Sequence, residues 1–203
     1  MRRFIKPIGF SAIALRTMCL VLAWPVLAQA QDDLWATIKS EPNIVIVARH
    51  TETGRGAATH YDPSGRCEGE VMLTARGRRQ AEGFGKAFLN QGLPPDKLHV
   101  VSSAMCRSRD TAMLAFGKAS LDAALRESFS GGGTRQQEFL DAAEHWIRKH
   151  RGGTPLVMFT HLPNIDALTG EQPSYGDVVV TRSDESGGLN VLGILRVYQP
   201  GDF

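Results

Sequence analysis

Three observations predict an α/β fold, a three-layer sandwich with a mostly parallel central sheet flanked by helices. Short apolar runs recur at residues 44–47, 98–101 and 156–160, and runs of that length suit strands buried on both faces. Helical apolar spacing lies between them, the alternation expected of parallel β-α units. Each run also ends at or leads to a cation or an imidazole: Arg49-His50, Arg107 and His161. Ligands of open α/β sheets gather at the carboxyl ends of strands, so these groups are expected along one edge.

Residues 32–39 read as a short helix with Trp35 and Ile38 three apart, ended by Pro42. The first strand then runs into Ala48-Arg49-His50-Thr51-Glu52-Thr53. Neighbouring side chains on a strand point opposite ways, so Arg49 and His50 converge only if the chain turns. Thr51, Thr53 and Gly54 suit such a turn and offer hydroxyls and N–H groups to an anion. A guanidinium beside an imidazole there suggests a phosphate site with a nitrogen nucleophile; the plain alternative is a surface turn. Residues 54–69 form a long polar, Gly-rich loop of the kind that lines a site mouth, with His60 on it.

Thr74 is placed to cap a helix over 75–89, with Ala81, Phe84 and Phe88 as its buried stripe. The second strand leads through Ser102 and Ser103 into a helix carrying Ala112, Ala115 and Phe116. Residues 121–129 have no distinct signature. After Gly131-Gly132-Gly133, Thr134 is expected to cap a helix reaching His150 that buries Phe139, Ala143, Trp146 and Ile147. The third strand ends at His161, and Pro163 opens a short helix to Leu168. Residues 178–180 and 191–197 read as two closing strands.

Residues 1–30 read as a secretory signal: Arg2, Arg3 and Lys6, then an apolar stretch, then Ala28-Gln29-Ala30 as a small-x-small cleavage site. The apolar stretch is shorter than the roughly 18–20 residues a spanning helix needs. The expectation is therefore a single domain over 31–203, periplasmic or secreted, with no stable membrane span after processing. The chain has 23 basic and 21 acidic residues, a formal +2. Four basic and no acidic residues fall in the signal, which leaves 19 against 21, a formal −2. That balance gives no basis for a nucleic-acid or membrane-surface partner. Cys67 and Cys106 survive processing, and an oxidising compartment makes them a disulfide candidate. Closing about 40 residues is worth roughly 4 kcal/mol in the chain-entropy model. Two separate buried thiols are the alternative. No spacing of the C-x-x-C or H-x-x-x-H kind indicates a metal site.

Four segments resemble the histidine phosphatase superfamily, in its phosphoglycerate-mutase-like branch. Residues 48–53 resemble its Arg-His-Gly-Glu-Thr/Ser signature, with Thr51 in the glycine position. Leu73-Thr74-Ala75-Arg76-Gly77-Arg78-Arg79-Gln80-Ala81 resembles its Leu-Thr-x-x-Gly-x-x-Gln-Ala helix. Ser103 to Ala112 resembles its Ser-x-x-x-Arg-x-x-x-Thr-Ala segment, and Phe159-Thr160-His161 its late strand-end histidine. The resemblance implies that His50 is a nucleophile forming phosphohistidine, and that Arg49, Arg107 and His161 bind the phosphoryl oxygens, His161 as a cation or donor. Thr51, Thr53 and His60 are expected to contact substrate. Glu127 stands near the family's acidic residue and is the candidate general acid; a solvated loop glutamate is the alternative. No cofactor and no metal are needed on this plan. Residues 160–170 are similar to an exported subgroup related to the lipopolysaccharide core heptose-phosphate phosphatase. In that setting a Cys67–Cys106 bond would brace Arg107 and tie down the long loop.

The function expected is thus an exported, metal-independent phosphomonoesterase acting on a small phosphorylated molecule, including a cell-envelope sugar phosphate. A non-catalytic phosphate binder on the same fold is the competing reading. It rests on the open identity of the general acid and on Thr51, because threonine does not adopt positive φ as easily as glycine.

Overall fold

The apolar run after Asn43 forms the inner strand β1 (Ile44–Arg49), buried over its first five residues. The computed structural model describes residues 29–56, 60–128 and 133–198. The expected signal, up to residue 28, lies outside the described residues. The chain divides into two units, residues 1–33 and 34–203. Residues 29–33 are helical, with Gln29 Nε2 donating to Asp33 Oδ1 at 2.9 Å.

The second unit begins with the helical residues 34–40 (α1) and β1. It continues with α2 (Ala75–Asn90), β2 (His99–Ser103), α3 (Cys106–Phe116), β3 (Ser120–Asp122) and α4 (Thr134–Lys149). It closes with β4 (Leu156–Thr160), α5 (Leu162–Thr169), β5 (Val178–Ser183) and β6 (Leu189–Leu195). The strands form one six-stranded sheet in the order β3-β2-β4-β1-β5-β6. β3, β2, β4 and β1 are parallel; β5 runs antiparallel to β1, and β6 antiparallel to β5. The carboxyl ends of β1, β2 and β4 therefore share one edge.

Alternation along β1 builds two cores. Ile44, Ile46 and Ala48 face Phe84, Phe88, Phe116 and Phe159, together with Trp35 and Ile38. Val45 and Val47 face Phe139, Ala143, Ile147 and Ile165. Helices α1, α2 and α3 thus cover one face, and α4 and α5 the other, which gives the three layers expected. Each fully buried phenylalanine contributes about 1.5–3 kcal/mol through area removed from water.

Thr74 caps α2 as expected, its Oγ1 accepting from Gly77 N at 2.9 Å. Thr134 does not cap α4: Gly133 is the N-cap and Thr134 opens the helix. Of the 121–129 stretch, the described residues up to 128 include the end of β3 and a 3-10 turn over Ala123–Leu125. Asp122 caps that turn at Ala124 N and takes the Trp146 indole N–H at 2.7 Å. Trp146 is half-buried rather than buried, because that hydrogen bond holds its polar edge at the surface. No helix among the described residues is long and apolar enough to cross a membrane.

Candidate active site

At the end of β1 the chain turns, and His50 becomes buried, 6% exposed. Its Nδ1 lies 2.9 Å from the Thr51 carbonyl, a group that can only accept. The ring proton is therefore on Nδ1, and Nε2 carries a lone pair. Arg107 Nε donates to that Nε2 at 3.3 Å, and Arg107 Nη2 pairs with Glu127 Oε2 at 2.6 Å. One guanidinium thus stands between His50 and Glu127. Burial pushes the His50 pKa from 6.5 down to about 3, with Arg107 and Arg49 adding to the fall against the Thr51 carbonyl. For Glu127 burial is the largest influence and raises its pKa, while Arg107 and Arg49 oppose it.

His161 directly follows β4, with its ring centroid 5.3 Å from that of His50. Burial, then Arg107 and His50, hold its pKa well below 6.5. Burial beside two arginines disfavours the cation and leaves the donor half of the expectation for His161. Ser103 Oγ accepts from Met105 N and lies 2.9 Å from His161 Nε2. Ser108 Oγ lies 3.5 Å from the same Nε2. The ring's Nδ1 is buried without a hydrogen-bond partner among the described residues.

Arg49 donates from Nη1 to the Pro173 carbonyl at 3.1 Å, and its Nε has no partner among the described residues. The site therefore gathers two guanidinium groups, two neutral imidazoles and one carboxyl group with a raised pKa.

Two of the quoted segments hold the turn after His50. In α2, Gln80 Oε1 accepts from Glu52 N at 3.0 Å, and Thr74 N donates to the Glu52 carbonyl at 3.1 Å. A Cβ on Gly77 would fall 2.0 Å from that same carbonyl oxygen, so only glycine lets the helix approach. In α3, Thr111 Oγ1 donates to the Arg107 carbonyl at 2.7 Å and accepts from Thr51 N at 3.2 Å.

Thr51 does not face a ligand as expected. Its side chain is fully buried, with Oγ1 3.2 Å from Thr111 Oγ1. Among the described non-glycine residues only Asn43 and Cys67 have positive φ, so position 51 does not require glycine. His60 is also placed otherwise: its Nε2 meets the Glu68 carbonyl at 3.0 Å, which braces the long loop. Thr53 pairs with Leu73 through a single β-bridge beside the turn.

Cys67 and Cys106 form a disulfide. Glu70, absent from the sequence reading, reinforces it: Oε2 accepts from Cys106 N at 2.7 Å and Oε1 from Asp62 N at 2.9 Å. A carboxylate at the first turn of α3 suits the positive end of the helix. Arg109 serves the loop as well, donating to the Gly65 carbonyl at 3.0 Å. Asn164 was equally unforeseen. Its Oδ1 accepts from Ser128 N at 2.9 Å, and its Nδ2 donates to the Leu125 and Arg126 carbonyls. It thereby fixes the segment that carries Glu127. Among the described residues no group of three or more His, Cys, Asp or Glu could hold a metal ion.

An α/β sheet that delivers paired arginines and histidines to its parallel carboxyl edge defines an oxyanion-binding class of protein. The family model of the histidine phosphatase superfamily (branch 1) matches residues 45–137 of the chain. The fold is similar to the protein histidine phosphatase SixA complexed with tungstate (16% identity, 76% of this chain and 97% of that one, TM-score 0.54). It is also similar to a protein from Thermus thermophilus, TTHB049 (25% identity, 75% and 99%, TM-score 0.51). A third likeness is to the mycobacterial glucosyl-3-phosphoglycerate phosphatase Rv2419c in complex with VO3 (16% identity, 73% and 96%, TM-score 0.55). No curated protein sequence matches the chain.

Proposed function

We propose that the protein is an exported phosphomonoesterase that works through phosphohistidine at His50. The observation that carries this reading is the tautomer of His50: Nδ1–H is held by Thr51, and the Nε2 lone pair lies beside Arg107. In the proposed first step Nε2 attacks phosphorus and the bond to the leaving oxygen breaks, with Glu127 giving that oxygen a proton. Water then attacks the phosphohistidine, Glu127 takes up the water proton, and His50 and orthophosphate are released. Arg49, Arg107 and the His161 imidazole hold the phosphoryl oxygens, where sheltered donors stabilise transferring charge better than water does. The chemistry is read as metal-independent because these three groups supply the positive charge and donors the phosphoryl group needs.

The substrate class is read as a small phosphorylated molecule, with an envelope sugar phosphate as the specific expectation. Export is supported by the composition of residues 1–30 and by the disulfide, a bond that persists in oxidising compartments. Thr51 needs no left-handed backbone, which weakens one of the two grounds for a binder without catalysis.

The pH profile tests the roles of His50 and Glu127. His50 is reactive when neutral, above about pH 3. Glu127 gives a proton only below its raised pKa. Activity is therefore expected to be highest in acid and to fall as pH rises through the Glu127 titration. In Glu127→Gln the alkaline fall is expected to vanish, and kcat on an alkyl phosphate to drop about 100-fold. An aryl phosphate, whose leaving group needs no proton, is expected to lose less. An unchanged pH profile in the variant contradicts the assignment.

A further inference from the structure

The turn between α5 and β5 brings Tyr175 to the site. Its ring lies under the Arg49 guanidinium, 3.9 Å from the central carbon to the ring centroid. The same ring stands 5.5 Å from His50, tilted by 44°. His50 is thus flanked by Tyr175 and by His161 at nearly equal distances. Two residues earlier, the Pro173 carbonyl takes the Arg49 Nη1–H at 3.1 Å. One short segment therefore grips Arg49 by a carbonyl and by an aromatic face.

That segment is itself fixed. Tyr198 donates its hydroxyl hydrogen to the Tyr175 carbonyl at 2.9 Å. Gly176 has φ +74°, and a Cβ there would fall 1.4 Å from the Tyr198 hydroxyl oxygen. Glycine supplies both the left-handed backbone and the room that this clasp needs. Tyr175 is only half-buried, so its ring also forms part of the wall between His50 and solvent.

We propose that Tyr175 is a positioning residue for phosphoryl binding: its ring face holds Arg49 in the orientation that receives the phosphoryl oxygens and walls the His50 ring. This rests on the proposed function, which assigns Arg49 to the phosphoryl group. A guanidinium on a flexible stem loses much rotational freedom when it binds an oxyanion; one already stacked and hydrogen-bonded has lost it beforehand. Two arginines then differ in how they are prepared. Arg107 is set by Glu127 and His50, and Arg49 by the 173–175 segment.

The test is calorimetric binding of inorganic phosphate to the protein and to Tyr175→Leu and Tyr175→Phe, with thermal unfolding of each. Phenylalanine keeps the ring face, so its dissociation constant is expected within about 3-fold of the parent, whereas leucine is expected to weaken binding about 10-fold, the range of a partly desolvated cation–π contact. In turnover the leucine variant is expected to raise KM more than it lowers kcat. A folded leucine variant that binds phosphate as well as the parent overturns the proposal. A phenylalanine variant as weak as leucine also overturns it, since the hydroxyl and not the ring would then be responsible. Failure of the unmodified protein to bind phosphate overturns the functional reading and this proposal together, and it is seen without any variant.

Discussion

His50→Ala is expected to lower kcat/KM toward an aryl phosphate by about 10⁴-fold or more, the scale on which removing a covalent nucleophile acts. The account assigns His50 the bond-forming atom, and no other unprotonated nitrogen in the site sits beside the Arg107 Nε donor. The same variant carries a stability signature. His50 is neutral in the folded protein down to about pH 3, while in the unfolded chain it takes up a proton below about 6.5. The unfolded state therefore binds more protons between these values, and the folded protein loses stability as pH falls through that window. The loss has a limiting slope of about 1.4 kcal/mol per pH unit for one such group. His50→Ala removes this contribution, so its stability is expected to fall less steeply from pH 6.5 toward 3. His161, lowered for the same reason, keeps its own share. Urea unfolding at a series of pH values measures both curves.

Breaking the Cys67–Cys106 bond is the other large effect. The bond closes 39 residues of sequence, and its removal is expected to cost about 4 kcal/mol on the chain-entropy account. For a domain of this size that is a drop in melting temperature of about 10 °C. Catalysis is expected to suffer too, because the bond anchors the first residue of α3, directly before Arg107. Glu70 holds the same residue from the loop side, through the Cys106 N–H. Without the tether the loop and its carboxylate are free to leave, and Arg107 loses its fixed helix start. Thermal scans with and without reductant, beside Cys67→Ser, check this. A melting temperature insensitive to reductant contradicts it.

The strand ends were legible because their signals are local. A β-branched run broken by Arg49-His50 identifies both a buried strand and its exit, and parallel order then brings Arg107 and His161 to the same edge. The cap at Thr74 and the close approach at Gly77 lie in one short motif and were readable for the same reason. What escaped depends on partners distant in sequence. The charge of His161 is decided by burial beside Arg107, which no neighbour in sequence reveals. Thr51 looked like a ligand donor until Thr111, 60 residues on, took its hydroxyl. Tyr175 carried no signal, since its place is set by the turn into antiparallel β5 and by the Tyr198 clasp. Asn164 stood in a quoted segment, but its bonding to residues 125–128 and Thr160 exists only once β4 and the 3-10 turn meet.

The central claim is that His50 carries the phosphoryl group during turnover. The most direct measurement is rapid acid-free quenching of the protein with a radiolabelled phosphomonoester in the presence of chelator, followed by mapping of the labelled peptide. The account predicts acid-labile, alkali-stable phosphate on His50, absent from His50→Ala. Turnover with no phosphoenzyme at His50, or label that persists in the variant, would contradict it.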